Sequence, residues 1–441
     1  MHWSRGYRLV SYVRSSLWVV PFIAIVLEQI AIRVLVRIDR ALGWEFYGVS
    51  VHAAEVTFQA VITLTLSFFV FTFGSLLVAI QVASGQMTPR IIATTLLRDN
   101  VVRYSVGLFV FTMLFAMGAS SRTDTEVNQF TLFVAAILGL ICIAVFLYLI
   151  DYAARMLRPV SIVARVSENG LAVIESVYPA NTRTSPEAPT SLRQPLGPPG
   201  RIVHHKGTSG VVVAVNVNDL VIQARRLDGV IEFVPQVGDF VAVGDPTFRL
   251  YGGAAAVDDR ELQAAATFGA ERTLEQDPMF VFRILVDIAA KALSKAINDP
   301  TTAVVVIDQL HRLLRLVGKR HLHNENIFDG EGRLRAILRT PNWEDFVHLA
   351  FWEVRHYGAE NVQVARRLRA MGENLIHSLP EHRHAALQQE LALLDREIEA
   401  LYAFPEDLAL ARIADSQGLG GASGTRAEPA ATLQARRAIS S

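Results

Sequence analysis

Apolar positions along this chain follow two regimes. Roughly the first third holds four long apolar segments, Leu17–Val36, Val56–Val82, Ser105–Ala119 and Phe130–Ile150. About 20 apolar helical residues cross a hydrocarbon core about 30 Å thick. The pattern therefore predicts four transmembrane helices, over about 16–36, 56–88, 102–119 and 129–150, in a transmembrane domain of residues 1–151. Val101 and Val102 can extend the short third segment. Residues 152–178 repeat apolar positions at helical spacing and predict a helix leaving the membrane. Residues 179–200 gather six prolines with Asn, Ser, Thr and Gly, which is linker chemistry.

Residues 201–253 change period. VVVAVNV, DLVIQAR, VIEFV and DFVAV are short runs rich in β-branched residues, separated by Gly, Asp or Pro, and predict a small β-barrel or sandwich. Residues 254–413 are helical again. Asp277-Pro278 and Asp299-Pro300 each pair an N-cap with a proline in the first turn, so a helix is expected to start at each. Two more amphipathic helices are expected over 343–378 and 381–413, with Pro380 between them, and the Gly/Ala/Ser-rich tail 414–441 is expected to be disordered. The fold class is an α+β membrane protein: a four-helix membrane region, a β module and a helical C-terminal domain.

Charge sets the orientation. Arg5, Arg8, Arg14, Arg90, Arg98, Arg103, Arg155, Arg158 and Arg165 flank one side of the expected spans; Arg37, Arg40 and Arg122 flank the other, among Asp39, Glu45, Glu55, Asp124 and Glu126. The positive-inside rule then places both termini in the cytoplasm of a cell with this protein in its inner membrane. The N-terminal apolar stretch is too long for a signal peptide and lacks a small-residue cleavage site, so it reads as a retained helix. Lys+Arg and Asp+Glu both total 42, which gives no charge excess for a nucleic acid. The single cysteine, Cys142, excludes an internal disulfide and a cysteine-based metal site. The paired histidines lack the helical spacing with a carboxylate of a hydrolytic zinc site, and no phosphate loop, nucleophile elbow or dinucleotide fingerprint is present. No metal, cofactor or catalytic residue is expected.

Three sets of residues stand out. On a helix at 100° per residue, Gln59, Thr63, Ser67, Gly74, Gln81 and Gly85 fall within about 80° of one another. They form a polar and glycine face on the second helix, which suits a pore lining or a helix–helix contact. That helix would be about 50 Å long, so it is expected to project beyond the bilayer until Pro89 stops it. Glu28 lies inside the first apolar segment, where a carboxylate is costly; it is a functional candidate, or it meets an Arg33 of a neighbour or the headgroups. Arg272, Glu275, Asp277, Arg283, Asp287, Asn298 and Asp299 form a dense cluster, read as a ligand site near two helix N-termini or as a polar network that fixes a hairpin or a subunit interface.

The stretch Gln81-Val-Ala-Ser-Gly-Gln-Met-Thr-Pro-Arg90 and the stretch from Glu275-Gln-Asp-Pro-Met-Phe-Val-Phe-Arg283 to Ala292-Leu-Ser-Lys-Ala-Ile-Asn-Asp-Pro-Thr-Thr-Ala303 resemble a family of bacterial membrane proteins that carries only a domain-of-unknown-function label. The resemblance spans most of residues 10–410 and implies four membrane helices and a cytoplasmic domain, with no established activity. Lys295 stands where that family usually has proline, so the preceding helix is expected to run one turn further. Locally, Val237-Gly-Asp-Phe-Val-Ala-Val-Gly-Asp-Pro246 is similar to the closing hairpin of biotinyl and lipoyl carrier domains. Their attachment lysine has no counterpart between Lys206 and Lys291, so the likeness implies shape without the carrier chemistry.

Two functions fit this sequence. The first is a homo-oligomeric channel or transport-like protein whose second helix lines the path. The second is a membrane-anchored scaffold or sensor that conducts nothing. An enzyme is a remoter third, because no nucleophile is paired with a base at a workable spacing. The expected partners are the lipid bilayer and further copies of the chain.

Overall fold

A computed structural model describes residues 16, 18–42, 48–86, 99–123, 128–156, 158–178, 196–322 and 325–421. Arg5, Arg8, Arg14, Arg90, Arg98, His323, most of the proline-rich linker and the tail beyond 421 lie outside the described residues. The chain divides into two compact units, a membrane unit, Leu9–Ile162, and a C-terminal unit that begins at Val163.

The membrane unit has four helices long and apolar enough to cross a bilayer: α1 (Val19–Leu42), α2 (Val51–Gln86), α3 (Asn100–Ser120) and α4 (Gln129–Met156). The expected helices are all present, and each is longer than the apolar run that announces it. Helix α3 packs against the other three. Two apolar clusters hold the bundle. Ile32, Phe58, Phe115 and Ala135 meet in one, and Leu76, Phe109, Cys142 and Leu149 in the other. The helix ends are pinned by acids. Asp39 on α1 accepts from Phe130 N at 3.4 Å and from Thr131 N at 3.3 Å, which satisfies orphan amides at the start of α4. Asp99 caps α3 through Val101 N at 2.9 Å and also accepts the Tyr152 hydroxyl from α4.

The expected continuous helix over 152–178 is divided. Helix α4 ends at Met156 and α5 (Pro159–Val177) starts at a proline, which cannot donate to a helix arriving from before it.

The C-terminal unit holds two open sheets rather than a closed barrel among the described residues. The five-stranded sheet has the order β1 (Arg201–His204), β5 (Pro246–Gly252), β3 (Gly229–Phe233), β8 (Leu334–Leu338), β7 (Asn326–Phe328). The three-stranded sheet has the order β4 (Phe240–Val241), β2 (Gly210–Val215), β6 (Ala266–Gly269). One core joins them, with Val203, Val212, Phe233, Val241, Phe248 and Leu338 fully or nearly buried. The β module therefore does not stop at residue 253, because β6, β7 and β8 come from the stretch expected to be wholly helical. DLVIQAR is not a strand either. It lies in α6 (Val217–Arg226), which Asn216 starts by accepting Asp219 N at 3.2 Å. The carrier-like segment 237–246 forms no hairpin with itself: β4 pairs with β2 in one sheet and β5 with β1 and β3 in the other.

A short α7 (Asp259–Ala265) leads into β6, and the helical layer follows. Helix α8 (Pro278–Ala292) begins at the Asp277 cap and α9 (Pro300–Val317) at the Asp299 cap, as the Asp-Pro pairs predict. Helix α8 is buried on nearly every side, through Phe280, Phe282, Ile284, Leu285 and Ile288 among others. It ends at Ala292, with no added turn at Lys295. Asn298 takes a left-handed φ of 48°, and Asp299 N returns to Ala292 O at 2.8 Å. The two further helices expected are four: α10 (Trp343–Gly358), α11 (Val362–Ser378), α12 (His384–Leu401) and α13 (Pro405–Ala411). Asn361 caps α11 at Gln363 N and Val364 N, and Pro405 opens α13. Residues 414–421, expected to belong to the disordered tail, are ordered against α11. Asp415 is buried and accepts from Gln417 N, Gly418 N and Gly420 N, while Arg366 of α11 donates to Ile413 O and Gly421 O.

Candidate functional site

The polar face of α2 points away from the rest of its bundle. Gln59, Thr63, Ser67, Gly74, Gln81 and Gly85 are all exposed on the single chain, whereas Thr65 and Thr72 on the opposite side are buried. On that face the Ser67 hydroxyl is satisfied locally, its Oγ donating to Thr63 O at 2.8 Å; on the buried side Thr65 Oγ1 donates to Val61 O at 2.7 Å. The Gln59 amide has no comparable partner among the described residues. Nothing lies within 4 Å of the point where a Cβ on Gly74 would sit. The face is therefore not a contact within the bundle. His52 and Glu55, also exposed, extend it beyond the apolar run in which it was recognised. It is also less continuous than expected, because Val70 and Leu77 fall in the same sector and are among the most exposed apolar residues.

Glu28 faces inward, 2 % exposed, rather than toward lipid. It lies at the crossing of α1 with α3. A Cβ on Gly118 would come 2.9 Å from Glu28 Oε1, 3.7 Å from Ile32 and 3.8 Å from an Arg122 guanidinium nitrogen. Gln29 Nε2 donates to Glu28 Oε2 at 2.7 Å.

The polar cluster of the C-terminal unit does not assemble into one site. Two helix N-termini come together only if the helices start at the same end, and α9 starts where α8 finishes. The helix between them, 15 residues long, separates the Asp277 and Asp299 caps by about 22 Å. Each part of the cluster has its own partners. Asp299 accepts Thr302 N at 3.0 Å and Thr302 Oγ1 at 2.5 Å, a local cap. Arg283 reaches Asp287 at 2.5 Å and grips Glu353 of α10 with two guanidinium nitrogens, one of them at 2.7 Å. These hydrogen bonds hold the Glu353 carboxyl below the usual carboxylate range and raise the Arg283 guanidinium. Arg283 thus bolts α8 to α10.

Arg272 and Asp277 belong elsewhere, beside a cleft of about 910 Å³. Its walls come from the end of α5 (Ser176, Val177, Tyr178), the junction of β2 with α6 (Val215, Val217, Asn218), the turn at Gln236 and Val237, and the β7–β8 edge with Arg339, Thr340 and Pro341. Glu275, Gln276, Asp277 and Pro278 line it too, so one of the two recognition motifs of the sequence borders the cavity. Gln276 Oε1 accepts Val215 N at 3.0 Å and fixes the motif to the sheet.

Asp277 is the unusual group here. Its Oδ1 accepts Phe280 N at 3.0 Å as the α8 cap. Its Oδ2 is buried with no hydrogen-bond partner among the described residues, and the Arg272 guanidinium stands 3.7 Å away. Burial pushes the carboxyl up to about 6, against the pull of Arg272. Gly238, with φ of 95°, allows this approach: a Cβ there would lie 2.5 Å from Asp277 Oδ2. Tyr178 is 1 % exposed and its hydroxyl likewise has no hydrogen-bond partner among the described residues. Burial first, then the charges of Asp277 and Asp345, raise that hydroxyl. Tyr178, Gly238 and the cleft were missed in the sequence. The only signal was the local density of Glu275 to Pro278, since a cavity depends on elements remote in the chain. Among the described residues, no group of three or more His, Cys, Asp or Glu side chains is placed to hold a metal ion.

Relatives share nearly the whole chain. An uncharacterized protein of Mycobacterium bovis and another of Mycobacterium tuberculosis are each 25% identical to it over 432 residues, covering 92% of this chain and 81% of theirs. No solved structure matches. The family described as "Predicted membrane protein (DUF2254)" matches residues 14–374, a span that includes all four membrane helices and the Glu275–Pro278 motif at the cleft. The chain belongs to that family of membrane proteins.

Proposed function

We propose that the protein works as a homo-oligomer in a bacterial inner membrane, with both termini in the cytoplasm. The α2 faces of neighbouring copies then border a shared conduction path, and the C-terminal unit assembles or gates it. The observation that carries this reading is the exposed Gln59 amide, which has no partner among the described residues although it lies within a membrane-length apolar helix. An unsatisfied amide facing hydrocarbon costs several kcal/mol, so it needs water or a group from another copy. Four helices with few buried charges are a poor solitary transporter, and an oligomer supplies the path more simply.

The second reading is a scaffold or sensor in which the same faces only bind one another. Val70 and Leu77 on that face, and the local bond made by Ser67, favour it. One experiment separates the two. In a Cys142→Ala background, Gln59→Cys should give oxidative cross-links between copies under either reading. Conductance of reconstituted vesicles, abolished by Ser67→Leu and Gly74→Leu with insertion intact, belongs to the channel alone. Failure to cross-link counts against both.

A further inference from the structure

The cleft of the C-terminal unit has the size and walls of a small-molecule site. Its volume, about 910 Å³, lies in the range of ligand pockets, which combine apolar walls with a few polar groups. Val177, Val217, Val237, Ile327 and Phe328 supply much of the apolar surface. Every lining residue, from Ser176 to Pro341, belongs to the C-terminal unit.

Charge decides what such a cleft takes. Three charged residues line it, Glu275, Asp277 and Arg339. The two acids are committed elsewhere. Asp277 Oδ1 accepts Phe280 N, and the buried Oδ2 is turned to Gly238, with Arg272 beside it. Glu275 already has an interaction partner. Arg339 is exposed and has none among the described residues. The one uncommitted charge on the described lining is therefore positive. Asn218, Gln236 and Asn326 share that lining, and their side-chain amides are also unpaired among the described residues. An amide both donates and accepts, so these groups can follow the sign that the guanidinium sets. A guanidinium presents a planar fork of N–H donors that matches an oxyanion two bonds at a time, and such charge-assisted bonds are roughly twice as strong as neutral ones. We propose that the cleft binds a small amphiphilic anion, with its apolar body against the valines and Phe328 and its oxyanion head on Arg339. Because Arg339 is exposed, the head sits at the mouth and keeps part of its hydration, while the body leaves water for the apolar walls. The site stands whether or not α2 borders a conduction path, because binding and conductance are measured separately.

The test uses the full-length protein in a neutral maltoside detergent, titrated calorimetrically with phenylbutyrate, phenylbutanol and phenylbutylamine. The heat of mixing each probe into detergent alone is subtracted. These probes share an apolar body and differ in the head group. Phenylbutyrate should bind saturably, and the alcohol and the amine at least about tenfold more weakly. Arg339→Gln removes the charge from an exposed position and should weaken phenylbutyrate about tenfold or more, with phenylbutanol unchanged. Asn218→Trp, an exposed change on the first turn of α6, should fill the cleft and abolish binding of both, with thermal unfolding as the check that the variant is folded. Unsaturable phenylbutyrate, equal affinity for the three probes, or unchanged phenylbutyrate affinity in Arg339→Gln would each overturn the proposal. Retained binding in folded Asn218→Trp protein would put the anion on the outer surface and overturn it as well.

Discussion

Glu28 Oε1 lies 2.9 Å from the point that a Cβ on Gly118 would occupy, so the carboxylate of one helix uses the space left by a missing side chain on another. Gly118→Ala puts a methyl group there and forces Glu28 or the helix crossing to shift. Overpacking of this kind costs about 1–3 kcal/mol, and the variant should melt earlier in detergent. Combining it with Glu28→Ala should cost less than the two changes added together, because the second removes what the first collides with. Simple additivity would count against the contact.

Asp39 closes the first turn of α4 from α1, accepting from Phe130 N, Thr131 N and Thr131 Oγ1. Asp39→Ala leaves those amides unpaired and should destabilise the bundle by about 1 kcal/mol, as lost caps do. Chemical unfolding in detergent measures it. Asp39→Asn should retain most of the stability, since it keeps an acceptor in place.

Asp277 carries a stability cost that depends on pH. Its carboxyl is raised to about 6 in the folded chain, above an unfolded value near 3.9. Below the unfolded value both states hold the proton and the group contributes nothing. Above about 6 the folded state must carry an unfavourable buried charge, so stability is lost as pH rises through this window. Asp277→Asn should therefore stabilise the protein by about 1–3 kcal/mol at neutral pH, with the gain vanishing near pH 4. Denaturant titrations at several pH values would show it. A gain that grows as pH falls would contradict the assignment.

Glu353 behaves oppositely. Arg283 holds its carboxyl below the usual range, so the pair stabilises the fold above the unfolded carboxylate value and the benefit is lost as pH falls through the folded one. Glu353→Gln should cost about 1–3 kcal/mol at neutral pH, in keeping with hydrogen bonds to charged groups. The same denaturant titrations should find the difference shrinking in acid.

The membrane helices were legible because apolar length alone specifies a span, and α8 and α9 because Asp277-Pro278 and Asp299-Pro300 are local start signals. What was not legible depends on partners distant in the chain. The run DLVIQAR suits a strand by composition, yet the Asn216 cap and a buried Leu220 and Ala224 make it a helix. The α2 face was legible as a face, but the direction it points depends on three other helices. For the charged cluster, density in sequence carries the local Arg283–Asp287 pair but not which members meet across elements. Asp277 turned out to belong with Tyr178 and Gly238, and Arg283 with Glu353. The cleft itself was hidden, since its walls come from residues between Ser176 and Pro341.

The parallel pairing of β3 with β8 sets an order of events during synthesis. Ile231 pairs with Ala336 and Phe233 with Leu338, so β3 leaves the ribosome long before its neighbour exists. Meanwhile α8 and α9 must emerge and be held as an insertion within an unfinished sheet. Until residue 338 is made, one edge of β3 offers unpaired backbone groups to any strand nearby. A ribosome paused between α9 and β8 thus carries a chain with that strand edge still unpaired, the kind of exposure that makes nascent chains aggregation-prone.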